Sequence, residues 1–219
     1  TVTKTTGTYD NKNAGTGKTV TVSLTNSDYT ATGSTVLANY TLPTSISGNV
    51  GTISKASLSI AGLTAQNKVY DATTSASLSG AASLSGAFGN DLLGLTLGGT
   101  PTANFNNKNV GSDKAVTVSG YTLSGIESGN YSLSQPAGLK ANISQASLSV
   151  TANNDSKTFN GIAYSGGNGV SYSGFASGES ESVLTGTLAY SGTSQGAINA
   201  GSYVITPGGL SSSNYAITF

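Results

Sequence analysis

Short runs in which apolar residues alternate with Ser or Thr recur along the chain. Val20-Thr-Val22-Ser-Leu24, Leu58-Ser-Ile60 and Val116-Thr-Val118 each put apolar side chains on one face and hydroxyls on the other. That is the period-two pattern of a strand with one side on a core and one in water. Tyr203-Val-Ile205 and Tyr215-Ala-Ile-Thr-Phe219 are read as further strands. Asn-Lys-Asn-x-Gly and Ser-Gly-Asn strings predict the turns between them, because Gly and Asn accept positive φ at little cost. No stretch of a dozen residues carries a helical period, and Asn90-Asp91-Leu92-Leu93 is at most one short turn. The expected fold class is all-β.

The strand strings themselves repeat, which is the first thing to establish in so biased a sequence. Ile53-Ser-Lys-Ala-Ser-Leu-Ser-Ile60 returns 90 residues later as Ile143-Ser-Gln-Ala-Ser-Leu-Ser-Val150. Each copy leads into an aromatic block, Lys68-Val-Tyr70-Asp71-Ala72 and then Lys157-Thr-Phe159-Asn160-Gly161. Tyr9-Asp-Asn-Lys-Asn-Ala-Gly15 returns as Phe105-Asn-Asn-Lys-Asn-Val-Gly111, with a shorter echo at Asn199-Ala-Gly201. Asn-Tyr pairs follow at Asn39-Tyr40, Asn130-Tyr131 and Asn214-Tyr215. A period near 90 residues suits a globular module and not a solenoid coil of about 20 to 45 residues. The registers divide the chain into an incomplete first module (1–56), a complete one (57–146) and a shorter third (147–219).

Composition narrows the chemistry. The 219 residues carry 9 cations, all Lys, against 9 acids, so the net charge is zero and no basic surplus exists for nucleic acid. His, Cys, Met and Trp are absent, which excludes histidine-based triads, thiol nucleophiles, disulfides and zinc or copper sites built from those side chains within this chain. Ser (35) and Thr (30) are abundant beside 30 Gly, a composition of either disorder or short strands joined by tight turns. The alternating β-branched and aromatic residues favour the folded reading. No apolar run is long enough to span a membrane as a helix, and no signal segment opens the chain. A chain that starts at Thr1 without an initiator Met is expected to be a piece of something longer.

The block Lys68-Val-Tyr70-Asp71-Ala72-Thr73-Thr74, the turn Asn107-Lys-Asn-Val-Gly111, Val116-Thr-Val-Ser-Gly120, Tyr121-Thr-Leu-Ser-Gly125 and Gly129-Asn-Tyr131 together resemble the YDG repeat of large bacterial exoproteins. The third unit, with Phe159-Asn-Gly161, Asn199-Ala-Gly-Ser-Tyr203 and Ser213-Asn-Tyr215, resembles the shorter MBG repeat. Ala72 departs from the name-giving motif, which has Gly there, and the first unit lacks that block. The resemblance implies a stalk or adhesive segment of a filamentous-haemagglutinin-like or adhesin-like protein, many of which leave the cell by two-partner secretion. The lack of Cys agrees with such export, since disulfides formed in an oxidising periplasm would block a chain threaded unfolded across an outer membrane.

Several strings imitate functional motifs. Gly15-Thr-Gly17-Lys18-Thr19 imitates the tail of a phosphate-binding loop, but the earlier Gly is missing and a strand pattern follows where a helix should start, so a turn is expected. Gly192-Thr-Ser194-Gln-Gly196 has the spacing of a nucleophile elbow, without any His to act as base. Asp10-Asn-Lys-Asn13 and Asn106-Asn-Lys-Asn109 gather oxygen atoms, yet a central Lys is the wrong charge for calcium. Asn39, Asn130, Asn142 and Asn154 begin Asn-x-Ser/Thr strings. Lys68 and Lys157 beside Asp71 and Asn160 raise an autocatalytic Lys–Asn bond, for which the only Glu residues are Glu127, Glu179 and Glu181. The eleven Tyr are expected to pack in the core more than to stack on sugars.

No catalytic, cofactor-binding or metal-ligating residue is therefore expected, and the chain is read as a non-enzyme without cofactor. The architecture expected is an elongated array of small β-sandwich-like or β-grasp-like modules. Its role is a structural or adhesive repeat segment of a bacterial surface or secreted exoprotein, outside the cell, with no membrane insertion. Its partners are neighbouring modules, identical chains through edge strands, and, in the alternative of a carbohydrate-binding module, extracellular glycans. The first module, lacking its opening strands, is expected to be the least stable or to complete its sheet with a borrowed strand.

Overall fold

The computed structural model describes residues 1–219. Strand makes up 45% of the chain and helix 7%, the latter only as 3-10 turns of three or four residues, so the fold is all-β. The short turn expected at Asn90 is one of these, at Asp91–Gly94. The contacts form two compact units, each drawn from three separated segments.

The first unit comprises Thr1–Ala61, Ala82–Thr100 and Gly120–Gln135. In it Gly15–Ser23 is the middle strand of an antiparallel sheet, flanked by Thr8–Tyr9 and Ser45–Ile53. The string Gly15-Thr-Gly17-Lys18-Thr19 is therefore strand and not the expected turn. Its glycines serve an irregular register around Thr16 and Lys18, where Gly17 has a φ of 62°. Leu24 is the one buried apolar side chain among residues 1–56, while Tyr9, Val36, Tyr40, Ile46 and Val50 remain exposed. A second small sheet in this unit centres on Ala56–Ala61, parallel to Tyr131–Leu133 and antiparallel to Ser83–Ser85. The alternation in Ala-Ser-Leu-Ser-Ile buries Leu58 and Ile60 on one face. Burying such a side chain contributes about 1.5–3 kcal/mol, so this sheet is far better anchored than the first.

The second unit comprises Gly62–Ala81, Pro101–Ser119 and Pro136–Phe219. One sheet orders Lys68–Val69, Leu139–Ser144, Gly111–Ser124 and Thr96–Phe105, of which residues 111–119 and 101–105 belong to this unit. Ala103, Phe105, Val116, Val118, Ala141 and Ile143 are its buried face. A second sheet sets Ala146–Ala152 parallel to Tyr215–Thr218 and antiparallel to Val170–Ser173, burying Leu148, Val150 and Tyr215. Thr185–Ser191 pairs with Thr206–Ser211. At the register shift between them, Gly186 and Gly209 both have positive φ, and a Cβ on either would run into a backbone oxygen of the opposite strand. The strand expected at Tyr203-Val-Ile205 is displaced to Thr206–Ser211. Val204 is drawn out of strand pairing because its N–H donates to the Thr193 hydroxyl and its carbonyl accepts from the Ser194 N–H.

Candidate functional site

The Asn-Lys-Asn turns fold identically. The Asn11 side-chain oxygen accepts from the Asn13 N–H (3.0 Å) and from the Lys18 ammonium (2.5 Å). The Asn107 oxygen does the same with the Asn109 N–H (3.0 Å) and the Lys114 ammonium (2.7 Å). A lysine thus sits where a metal would have to bind, and the central Lys12 or Lys108 is left projecting from a rigid turn.

Each projecting Lys reaches an acid distant in sequence, beside an Asn-Tyr pair. In the first unit, Lys12 Nζ lies 2.7 Å from Asp91 and 3.1 Å from Glu127. The Ala14 N–H donates to Asn130 (2.8 Å), whose amide donates to Asn13 (3.2 Å) and Glu127 (2.8 Å). The Tyr131 hydroxyl donates to Asp91 (2.9 Å) and accepts from the Phe88 N–H (3.0 Å).

The second unit repeats this pattern with a more buried acid. Lys108 Nζ lies 2.7 Å from Glu179, and the Val110 N–H donates to Asn214 (3.0 Å), whose amide donates to Asn109 (3.3 Å). The hydroxyls of Tyr70 (2.7 Å) and Tyr215 (2.6 Å) both donate to Glu179, and the Tyr215 hydroxyl accepts from the Ala176 N–H (2.9 Å). The Tyr70 and Tyr215 rings meet edge to face at 5.4 Å, and Lys108 stands 5.9 Å from the Tyr70 ring centre. Such ring pairs add about 0.5–1.5 kcal/mol beyond their burial.

The electrostatics follow from these contacts. Burial alone would push the Glu179 carboxyl up, but the hydrogen bonds from Lys108, Tyr215 and Tyr70 outweigh it and leave it below the usual range. Tyr215 is pushed up to about 12 by burial and by donation to Glu179, and Tyr70 is raised for the same reasons. In the other clasp, Lys12 and then Tyr131 hold Asp91 low, while Asp91 and then Glu127 raise Lys12. Lys12, Asp91 and Glu127 thus form an ion-pair cluster whose lysine side chain is largely exposed.

The turn echo at Asn199-Ala-Gly201 has no such clasp. Ile198 occupies the position of Lys108, and Phe159 that of Tyr70. Phe159 is 65% exposed where Tyr70 is 4% exposed. Ile198 and Phe159 lie at the rim of a cavity of about 390 Å³ that Lys157, Asn160, Asn199 and Tyr203 also line.

A turn that is rebuilt residue by residue and clasped by the next Asn-Tyr pair marks a repeat of domains. A YDG domain is detected over residues 54–138, and an MBG domain of the YGX type over 148–219. Domains of these kinds are generally non-enzymatic repeat or binding domains. Neither the curated proteins nor the solved structures contain a match to the chain. Lys108, Tyr70 and Asn109 lie in the YDG segment, and Glu179, Asn214 and Tyr215 in the MBG segment, so the second clasp ties the two domains together.

The remaining motifs resolve as structure. In the MBG segment Ser194 of the elbow-like string is buried and its Oγ accepts from the Gln195 side-chain amide. In the YDG segment Lys68 holds Asp71 at 2.7 Å within a turn that Asp71 closes on the Thr73 N–H. Burial raises Asp71, but Lys68 and the Thr73 donors more than offset it. Lys157 donates to the Ile162 carbonyl and not to a carboxylate. Asn39, Asn142 and Asn154 are exposed, whereas Asn130 is half-buried in its clasp. Of the tyrosines, Tyr70, Tyr131 and Tyr215 are buried core, but Tyr9, Tyr40 and Tyr203 are exposed, so core packing describes only part of the set. The clasp acids Asp91 and Glu179 escaped the sequence reading because they lie 79 and 71 residues from their lysines and differ in type.

Proposed function

We propose that this chain is a non-catalytic structural and adhesive repeat segment of a bacterial surface or secreted exoprotein, working outside the cell. In this reading modules 1–56, 57–146 and 147–219 follow one another, and the Asn-x-Gly turns at Asn13 and Asn109 are each gripped by the acid and Asn-Tyr pair of the next module. The observation that carries the reading is the duplicated clasp, Lys12 with Asp91 and Asn130, then Lys108 with Glu179 and Asn214. A catalytic site has no need to recur at module boundaries, whereas a joint between repeated modules does. Charge-assisted hydrogen bonds at such a boundary restrict bending, which is what a stalk requires.

Small-angle scattering of the chain tests this directly. A stiff, elongated particle is expected, and a compact sphere overturns the stalk. A glycan array separates the competing class: no saturable binding is expected, while saturable binding to one defined glycan would move the chain to the carbohydrate-binding modules.

A further inference from the structure

We infer that the open Asn199-Ala-Gly201 turn and its cavity are the receiving half of a further clasp, whose occupant is the Asn39-Tyr40 pair of a second copy of this chain. The inference rests on the clasp as a docking device and extends it from within the chain to between chains.

The receiving half is incomplete in a specific way. In the closed clasp of the same unit, Asn214 takes the Val110 N–H and the Asn109 oxygen, and Tyr215 covers Tyr70. At the open turn the corresponding Ala200 N–H and Asn199 amide have no partner in the chain. Phe159, Ile162, Ile198 and Tyr203 line one cavity, and each is at least 43% exposed. A contiguous apolar patch rimmed by polar groups is the mark of a docking surface, and the closed clasp shows that an Asn-Tyr pair is what covers it.

The occupant is argued from the chain's own inventory. Two of the three Asn-Tyr pairs are already engaged. The remaining Asn39 ends a 3-10 turn, Leu37–Asn39, as Asn130 ends Ser128–Asn130, and Tyr40 (φ −125°, ψ 142°) has nearly the backbone of Tyr131 (φ −128°, ψ 152°). Tyr40 is 63% exposed, and its hydroxyl makes no hydrogen bond. Lys108 meets Glu179 at the closed clasp, whereas Ile198 stands in its place at the open turn and adds to the apolar lining. Because the two halves differ, the contact is heterologous and generates a ring or an open filament of copies.

Sedimentation equilibrium of the full chain across the micromolar to millimolar range tests the inference. Mass should rise with concentration, and Ile198→Lys and Tyr40→Ala should each abolish that rise. Both positions are exposed, so the variants should keep the wild-type circular dichroism. An equal mixture of the two variants should form dimers and stop there, since each retains one intact half. A monomer throughout, association indifferent to both substitutions, or failure of the mixture to recover a dimer would overturn it, as would a monomeric chain whose cavity binds a glycan and loses it with Ile198→Lys. The internal clasp at Glu179 is untouched by these variants, so a monomeric result sinks the second-copy contact and leaves the stalk reading standing.

Discussion

Ala72 shows what one methyl group does in a tight turn. It sits at a φ of 63°, in the left-handed region, and its counterpart in the MBG segment is Gly161 at 71°. The YDG motif, as the resemblance has it, carries Gly where this chain has Ala72. For a residue with a Cβ that conformation costs about 1–2 kcal/mol, partly offset by the lower chain entropy of Ala over Gly. Ala72→Gly is therefore expected to raise stability by up to about 1 kcal/mol, read from denaturant melts at constant m-value. An unchanged or lowered midpoint would contradict the strain. Asp113 is the second case, at a φ of 50° where the aligned Gly17 has 62°, and it is steadied by donation of its N–H to Asn142.

At the scale of elements, the clasp and the first sheet lie at opposite ends of stability. Glu179 is 8% exposed in its side chain and accepts from three groups, so Glu179→Ala would strand two tyrosine hydroxyls, while the largely solvated Lys108 ammonium would turn to water. Leaving such groups unpaired is expected to cost about 2–4 kcal/mol. The neighbouring Glu181→Ala, at an exposed position, should cost almost nothing. Equal effects of the two substitutions would remove Glu179 from its central place. The Lys12 cluster is worth less, since the Lys12 side chain is 62% exposed and its charge is screened by solvent. Meanwhile Gly15–Ser23 and Ser45–Ile53 contain no buried apolar side chain, Leu24 just beyond Ser23 being the one nearby, and Tyr40-Thr-Leu42 lacks the parallel strand that its counterpart Tyr131–Leu133 finds in Ala56–Ala61. Amides of Gly15–Ser23 should exchange with solvent well before those of Ala56–Ala61 and Ala146–Ala152. Uniform protection across the three strands would show that the first sheet has a core of its own.

For the whole molecule, the consequence lies in the response to pH. Glu179 titrates below its ordinary 4.5 when folded, so its contribution is complete above that value and is lost as pH falls through the lower folded one. Tyr215 behaves in the opposite sense. The folded state keeps its proton to about 12 against an ordinary 10.0, so its contribution is complete below pH 10 and is lost as pH rises toward 12. With no His in the chain, no side chain in between has an ordinary titration from about pH 5 to 8. Melting temperature against pH should form a broad plateau with an acid and an alkaline limb, and Glu179→Gln should flatten the acid limb. A transition centred near neutrality would show a titrating group outside this account.

Alternation was enough to make the protein all-β, because a period of two exposes one apolar face only in an extended chain. Self-similarity was enough to align the turns, aromatic blocks and Asn-Tyr pairs. Even the left-handed positions were foreshadowed by Gly at the aligned positions of Ala72 and Asp113. Those features are local, and a few neighbouring residues carry their physics. Tertiary structure decided the rest. Gly15-Thr-Gly17-Lys18-Thr19 is strand because Ser45–Ile53 pairs with it despite its glycines, and Tyr203–Ile205 is not strand because Thr193 and Ser194 take its backbone groups. Which acid meets Lys12 or Lys108, and which tyrosines are buried, depend on groups brought together from distant parts of the chain. A hydrogen bond leaves no trace in the sequence between its partners, and only the folded backbone brings Glu179 within reach of Lys108, Tyr70 and Tyr215.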